Sequence, residues 1–280
     1  MAIKDILLPL VGEPDAAAIA AIEKCMAVAG DFGARVTAMA VEEDLLVRPK
    51  VVISSDIENA AETAAMRSVS DARGLLKAFE AAANRFAVRS EQKLTRLGAA
   101  DIPGNFVEPA RLADLSMVPI KPNDGQSEEV AERLIFESGR PILMCPEESA
   151  DDLPVVFDRV MIAWDHTAPA ARAVADALPL LEDAADVRVV TATDNGTQAE
   201  MESGAALVRH LAEHGINATF ETIRIDGSSV GKIFEAYVRK NAIGLLVMGA
   251  YRHSRLNEIV WGGATKTVIG RPPCWVMMSR

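Results

Sequence analysis

Cysteine is scarce in this chain: three residues in 280, Cys25, Cys145 and Cys274, widely spaced and without a CxxC pair. That excludes a disulfide framework and a cysteine zinc site, and leaves buried free thiols as the expectation. Histidine is nearly as scarce. Of the four, His210 and His214 stand one helical turn apart with no third ligand in sequence reach, so no metal site is expected. Aromatic residues make up 5% of a chain that is 50% hydrophobic, so its cores are built from Ala, Val, Leu and Ile. No apolar run approaches the ~18 residues of a membrane span. The apolar stretch within Met1–Leu10 is too short for a signal peptide and is broken by Asp5. Positive charge is in deficit as well: 29 basic against 40 acidic side chains give a net charge of −11, which argues against non-specific nucleic-acid binding. A GxxxxGK[ST] loop is absent, and no Ser-His-Asp, Cys-His or paired-carboxylate arrangement stands out, so P-loop hydrolysis has no support and no catalytic residue is assigned. The expectation is a cytoplasmic protein with no nucleic-acid or membrane partner, and the length favours two domains.

What is there is one module written twice. Ile6–Leu10 and Val160–Trp164 are short apolar runs that read as buried strands, each followed by a polar turn and an Ala-rich helix. Ile19, Ile22, Met26 and Ala29 step by three, four and three, as do Ala171, Val174, Leu178 and Leu181, which predicts one apolar helix face in each half. A second strand follows each helix, 35–41 and 187–193. Both halves end in Gly-Arg-Pro and an apolar strand, Gly139–Met144 and Gly270–Met278. The acidic stretch Pro146–Pro154 between them reads as the linker. In the second half, strand and helix signals alternate down to the continuous apolar run Ile243–Gly249, as in a parallel, doubly wound sheet. The turn Asp226-Gly227-Ser228-Ser229 reads as a turn and N-cap. The first half is less regular: Asp56 to Phe86 looks helical, and the extra length falls near Leu45–Ala65, as added helix or a surface excursion.

The second half carries one further signal. Its apolar strand ends in Met248-Gly249-Ala250-Tyr251-Arg252, and Gly262-Gly263-Ala264-Thr265 opens the last helix. A glycine-rich turn at the carboxyl end of a parallel strand, leading to a helix N-terminus with free N–H groups, suits a phosphate. The same turn also serves as a tight strand-to-helix connection.

Met248–Thr265 resembles the signature segment of the universal stress protein family (the universal stress protein A family): Gly, two residues, Gly, nine residues, Gly, then a small or hydroxyl residue. Gly249 and Gly262 hold the spacing, and the strand–helix–strand opening of both halves fits the same family. The resemblance implies two tandem doubly wound parallel-sheet domains, 1–148 and 155–280. Each would be a Rossmann-like three-layer sandwich of the adenine nucleotide alpha hydrolase type, and the two would form a pseudo-two-fold pair. It implies a stress-response binding or regulatory protein. In ATP-binding members an Asp after the first strand contacts the nucleoside, which transfers to Asp165, with Ala163 and Trp164 leading into it as site residues. The end of the second strand lines the adenine pocket, which transfers to Ala192. The signature wraps the phosphates, which transfers to Met248, Gly249, Gly262, Gly263, Ala264 and Thr265. The implied ligand is ATP or a related adenine nucleotide, with Mg, in the C-terminal half only.

Arg252 departs from the family, standing where the second Gly is expected. Two outcomes are open: its side chain blocks the approach of a ligand, or its guanidinium replaces a lost backbone contact to phosphate. The first half has lost the signature. Val11 stands where Asp165 stands, and the turn after its fourth strand, Lys121–Gln126, keeps one Gly and gains Pro122. This half is read as structural, paired with the second through the last strands, Ile142–Cys145 and Cys274–Met278. Two function classes follow: a nucleotide-binding stress protein with one competent site, or a scaffold in which Arg252 closes that site. A homodimer and an unidentified protein partner stay open.

Overall fold

A computed structural model of the chain describes residues 2–44, 55–147, 155, 157–255, 258–261 and 263–280, with backbone alone for 55–62, 252–255 and 258–261. Residues 45–54 of the extension expected near Leu45–Ala65, and most of the expected linker, 148–154, lie outside the described residues.

The first half runs β1 (Asp5–Leu10), α1 (Ala16–Asp31), β2 (Arg35–Glu43), α2 (Ser55–Arg85), β3 (Arg89–Leu97), the short α3 (Ile102–Asn105) and α4 (Val107–Leu112), β4 (Leu115–Ile120), α5 (Gly125–Glu137) and β5 (Ile142–Pro146). The second runs β6 (Arg159–Ala163), α6 (Ala168–Leu181), β7 (Asp186–Thr193), α7 (Gln198–Glu213), β8 (Ala218–Arg224), α8 (Val230–Asn241), β9 (Leu245–Gly249), β10 (Arg252–Arg255), β11 (Glu258–Trp261), α9 (Gly263–Gly270) and β12 (Trp275–Ser279). One ten-stranded sheet has the order β3-β2-β1-β4-β5-β12-β9-β6-β7-β8, the same five-strand plan read outward from its centre in both directions. All neighbours are parallel except the central pair, β5 and β12. The small hairpin β10–β11 stands apart.

The register fixes which residues correspond. Across the centre Leu143 pairs with Met277, flanked by Met144 with Val276 and Ile142 with Met278, so a local two-fold axis passes through the Leu143–Met277 pair. Carried outward, the ladders equate Ile6 with Val160, and hence Val11 with Asp165 and Val41 with Ala192. On the fourth strands they equate Pro119 with Gly249 and Lys121 with Tyr251.

Helices cover both faces. One core packs α1, α2, α6 and α7 on the sheet, and the other packs α3, α4, α5, α8 and α9. Central strands buried on both sides explain the unbroken apolar runs. The two predicted helix faces are buried except at their first members: Ile22, Met26 and Ala29 are buried, as are Val174 and Leu181, and Leu178 packs on the same core. Ile19 is 38% exposed while Ala18, Ala21, Ile22 and Cys25 are buried, and Ala171 is exposed while Ala170, Ala173 and Val174 are buried. In these first turns a small residue, Ala18 or Ala170, holds the inward position instead. The extra length of the first half takes the form of a 31-residue α2, against 16 residues in its counterpart α7. No disulfide joins the three cysteines; Cys25 and Cys145 are buried and Cys274 is half-buried. Among the described residues, no helix is long and apolar enough to cross a membrane.

Candidate functional site

The sheet order turns back on itself between β6 and β9, and ligands of doubly wound sheets sit outside the carboxyl ends of the strands at such a point. A cavity of about 550 Å³ lies there, within the range of small-molecule sites. Its apolar wall comes from Ala163, Ala192, Val230, Phe234 and Met248, and its mouth from Ser228, Ser229, Gly263, Ala264 and Thr265. Nine of the eleven residues singled out in the sequence line it: Ala163, Trp164, Asp165, Ala192, Met248, Gly249, Gly263, Ala264 and Thr265. Gly262 and the side chain of Arg252 lie outside the described residues.

Two helix N-termini open onto this cavity. Ser229 is the N-cap of α8 and its hydroxyl makes no capping bond, and no acidic residue stands in the first turn of α8 or of α9. The α8 terminus therefore presents N–H groups that no N-cap side chain takes up, and both termini carry a positive partial charge. The helices are held side by side at Gly231, where a Cβ would come within 2.7 Å of the Thr267 Cβ. The contribution of Ser228 and Ser229 goes beyond the sequence reading, which treated them only as a cap. The available signal was the Asp-Gly-Ser-Ser turn opening a helix with no acid in its first turn.

Asp165 is the one carboxylate on the described cavity wall. One of its oxygens, Oδ1, accepts the Thr167 hydroxyl at 2.7 Å and the Thr167 N–H at 3.3 Å. His166 between them adopts a left-handed backbone, φ 52°, and such strain clusters at ligand sites. Tyr251 enters the cavity from the end of β9. Its hydroxyl is buried without a hydrogen bond of normal geometry, and burial, with the adjacent Asp165 carboxylate, raises its pKa so that it keeps its proton. The Tyr251 N–H donates to the hydroxyl of the nearly inaccessible Thr265 at 3.3 Å, which ties the β9 turn to α9.

Three readings of the signature change. Trp164 turns away: its indole N–H donates to Ser203 of α7 at 3.0 Å and its ring packs on the opposite core, so it brings no ring to the α8–α9 side. Residues alternate faces along a strand, and Trp164 follows Ala163, which points to the cavity side. Gly249 is close-packed against protein: a Cβ there would stand 2.5 Å from the Ala170 amide nitrogen and 2.6 Å from the Pro169 carbonyl carbon, at the first turn of α6. The connection from Gly249 to Gly262 is a hairpin, with Arg252 opposite Trp261. Arg252 thus lies in extended backbone, which any residue adopts.

The corresponding edge of the first half is built with opposite charge. The N-terminus of α5 is already capped by Asp124, whose Oδ2 accepts the Ser127 N–H at 2.9 Å. Lys121, the counterpart of Tyr251, is drawn onto Asp15 at 2.8 Å. Beside them, burial and then the Asp15 carboxylate push Glu147 up to about 7 from an ordinary 4.5. The folded chain therefore holds this proton more tightly than the unfolded one. The stability it adds is full below about pH 4.5 and is lost as pH rises through about 7. Glu147→Gln is expected to raise unfolding stability by about 1 kcal/mol at about pH 8, allowing for solvent screening, and to change nothing near pH 4. Urea titrations at the two pH values check this.

The fit of the second-half cavity to a nucleotide rests on this chain's own groups: an apolar wall for a base, two acid-free helix N-termini for phosphates, and one carboxylate at the mouth. No three His, Cys, Asp or Glu side chains come together as a metal site among the described residues, so a Mg ion fits here only as one carried by the phosphates.

Residues 157–280 match the sequence model of the Universal stress protein family. No curated protein matches the chain. Among solved structures, a universal stress protein from Archaeoglobus fulgidus is similar over 99% of this chain and 96% of its own, with 15% identity and a TM-score of 0.65. A putative universal stress protein from Pseudomonas aeruginosa is similar over 99% and 93%, with 12% identity and a TM-score of 0.61. At these identities the likeness is one of fold, and it extends over both halves.

Proposed function

We propose that residues 157–280, the part of the chain that matches the Universal stress protein family model, bind an adenine nucleotide in the α8–α9 cavity, and that this half acts as a stress-response binding protein. The observation that carries the reading is the convergence of two helix N-termini, free of acidic residues in their first turns, on one cavity with an apolar wall. The N–H groups of α8 and α9 and the Ser228 and Ser229 hydroxyls bind phosphate oxygens. Ala163, Ala192 and Met248 exclude water from the base, and the Asp165 carboxylate accepts from ribose hydroxyls or the base. Among the described residues of the cavity wall the one carboxylate is Asp165, whose bond from Thr167 commits one of its oxygens.

A second reading rests on Tyr251. Its ring and buried hydroxyl occupy the cavity beside Asp165, and in a scaffold protein that contact would keep the site shut.

Thermal unfolding with and without Mg-ATP separates the two. At a ligand concentration about 100 times Kd the native state gains about 2.7 kcal/mol. An upward shift in the unaltered chain supports nucleotide binding. A shift that appears only in Tyr251→Ala supports the closed scaffold, and one that appears only in Arg252→Gly places the block at Arg252. No shift in any of the three overturns the nucleotide assignment.

A further inference from the structure

The first half repeats the cavity and inverts its chemistry. A space of about 640 Å³ lies over the carboxyl ends of β1 and β2, at the position that the two-fold register equates with the nucleotide cavity. Val11 and Val41 stand there for Asp165 and Ala192, and with Leu75 and Ile102 they make an apolar floor. The far wall is the added length of α2. It is pinned to the strand end where the Glu43 N–H donates to the Ser68 hydroxyl at 2.7 Å. One turn further along, Asp71 faces the same space, and Glu13 faces it from the β1–α1 loop. The described wall thus carries three carboxylates, Glu13, Glu43 and Asp71, against one guanidinium, Arg67.

On the described wall acid outweighs base. The N-terminus of α5, which reaches this wall at Gln126, carries its own carboxylate in Asp124, and the Lys121 ammonium is spent on Asp15. Glu43 and Asp71 are half-buried rather than solvated on an open face, so their charge is felt strongly inside the space. We infer that this cavity is a binding site for a small organic cation with an apolar body: an alkyl amine whose chain lies on the Val11, Val41, Leu75 and Ile102 floor and whose ammonium meets Glu43 and Asp71. The chain would then carry two sites of opposite preference, one in each half.

The test is calorimetric titration of the full chain with hexylamine, hexanol and hexanoate, three probes that share an apolar body and differ in charge. Hexylammonium is expected to bind at one site, hexanol about tenfold more weakly and hexanoate not at all. Asp71→Asn and Glu43→Gln should each weaken hexylammonium about fivefold, the scale of a partly exposed charge pair, with folding of each variant checked by its unfolding midpoint. Glu13→Gln, on an exposed loop, carries the same test with a smaller loss if either of these is unstable. Ala264→Asp, in the other half, should leave amine binding unchanged. Hexanoate binding as well as hexylammonium, amine affinity indifferent to all three carboxylate variants, or no amine binding at all would each overturn the assignment.

Discussion

Ala264→Asp is expected to abolish nucleotide binding, by 100-fold or more in affinity, while leaving the chain as stable as before or slightly more stable. Ala264 lies in the first turn of α9 and lines the cavity. A carboxylate there stabilises the helix by about 0.5 kcal/mol through its dipole, and it faces incoming phosphates with a like charge at a cost of several kcal/mol. The substitution installs in the second half what Asp124 already does at α5 in the first. Because stability and binding move in different directions, loss of binding cannot be blamed on unfolding. Titration calorimetry with Mg-ATP reads the affinity and a urea curve reads the stability. Binding that survives the substitution would mean the phosphates do not approach α9.

Gly249→Ala is expected to cost about 3 kcal/mol of folding stability, near the upper end for overpacking. The atoms its methyl group would strike belong to the backbone of Pro169 and Ala170, which cannot swing aside as a side chain can. To make room, the start of α6 must lift from β9, the pair on which the centre of the second half is built. Gly263→Ala is the matched control. It belongs to the same glycine-rich segment, yet a Cβ there meets nothing within 4 Å, and the change should stay within about 0.5 kcal/mol. Equal stability losses in the two variants would show that the first glycine does not act through packing. Denaturant midpoints of the two variants, measured side by side, decide it.

These two glycines show how far a spacing pattern reaches. The sequence places Gly249 at the end of an apolar strand and Gly263 at the opening of the last helix, and the structure agrees. What the spacing does not reveal is that one glycine faces a helix of its own chain and the other faces open space, because close approach of a third segment leaves no trace in local sequence. The nine residues between Arg252 and Gly262 read as a turn and form a hairpin, since four-residue strands are too short for alternation to declare itself. The same brevity hid α3 and α4, of four and six residues. Other elements are legible: α2 runs Ser55–Arg85 where the sequence predicts a helix from Asp56 to Phe86, and β4 ends at Ile120, directly before the Lys121–Gln126 turn that the sequence places after the fourth strand. Trp164 was legible in principle, since alternation along β6 already turns it to the α7 face. The meeting of the α8 and α9 N-termini was not. It depends on Gly231 letting two helices come together that are separated by β9 and a hairpin in the chain.

The antiparallel seam between β5 and β12, centred on Leu143 and Met277, also bears on how such a chain can change over time. Where two separate copies meet, dilution parts them, and any substitution appears on both sides of the joint at once. Here the joint is internal, at an effective concentration on the order of millimolar or above, and each half carries its own substitutions. Only the buried seam, Ile142, Leu143 and Met144 against Val276, Met277 and Met278, must stay matched. Everything at the far carboxyl edges is released from that constraint. A fused pair is therefore free to acquire one acidic mouth and one that welcomes phosphate, a division of labour that identical copies cannot make.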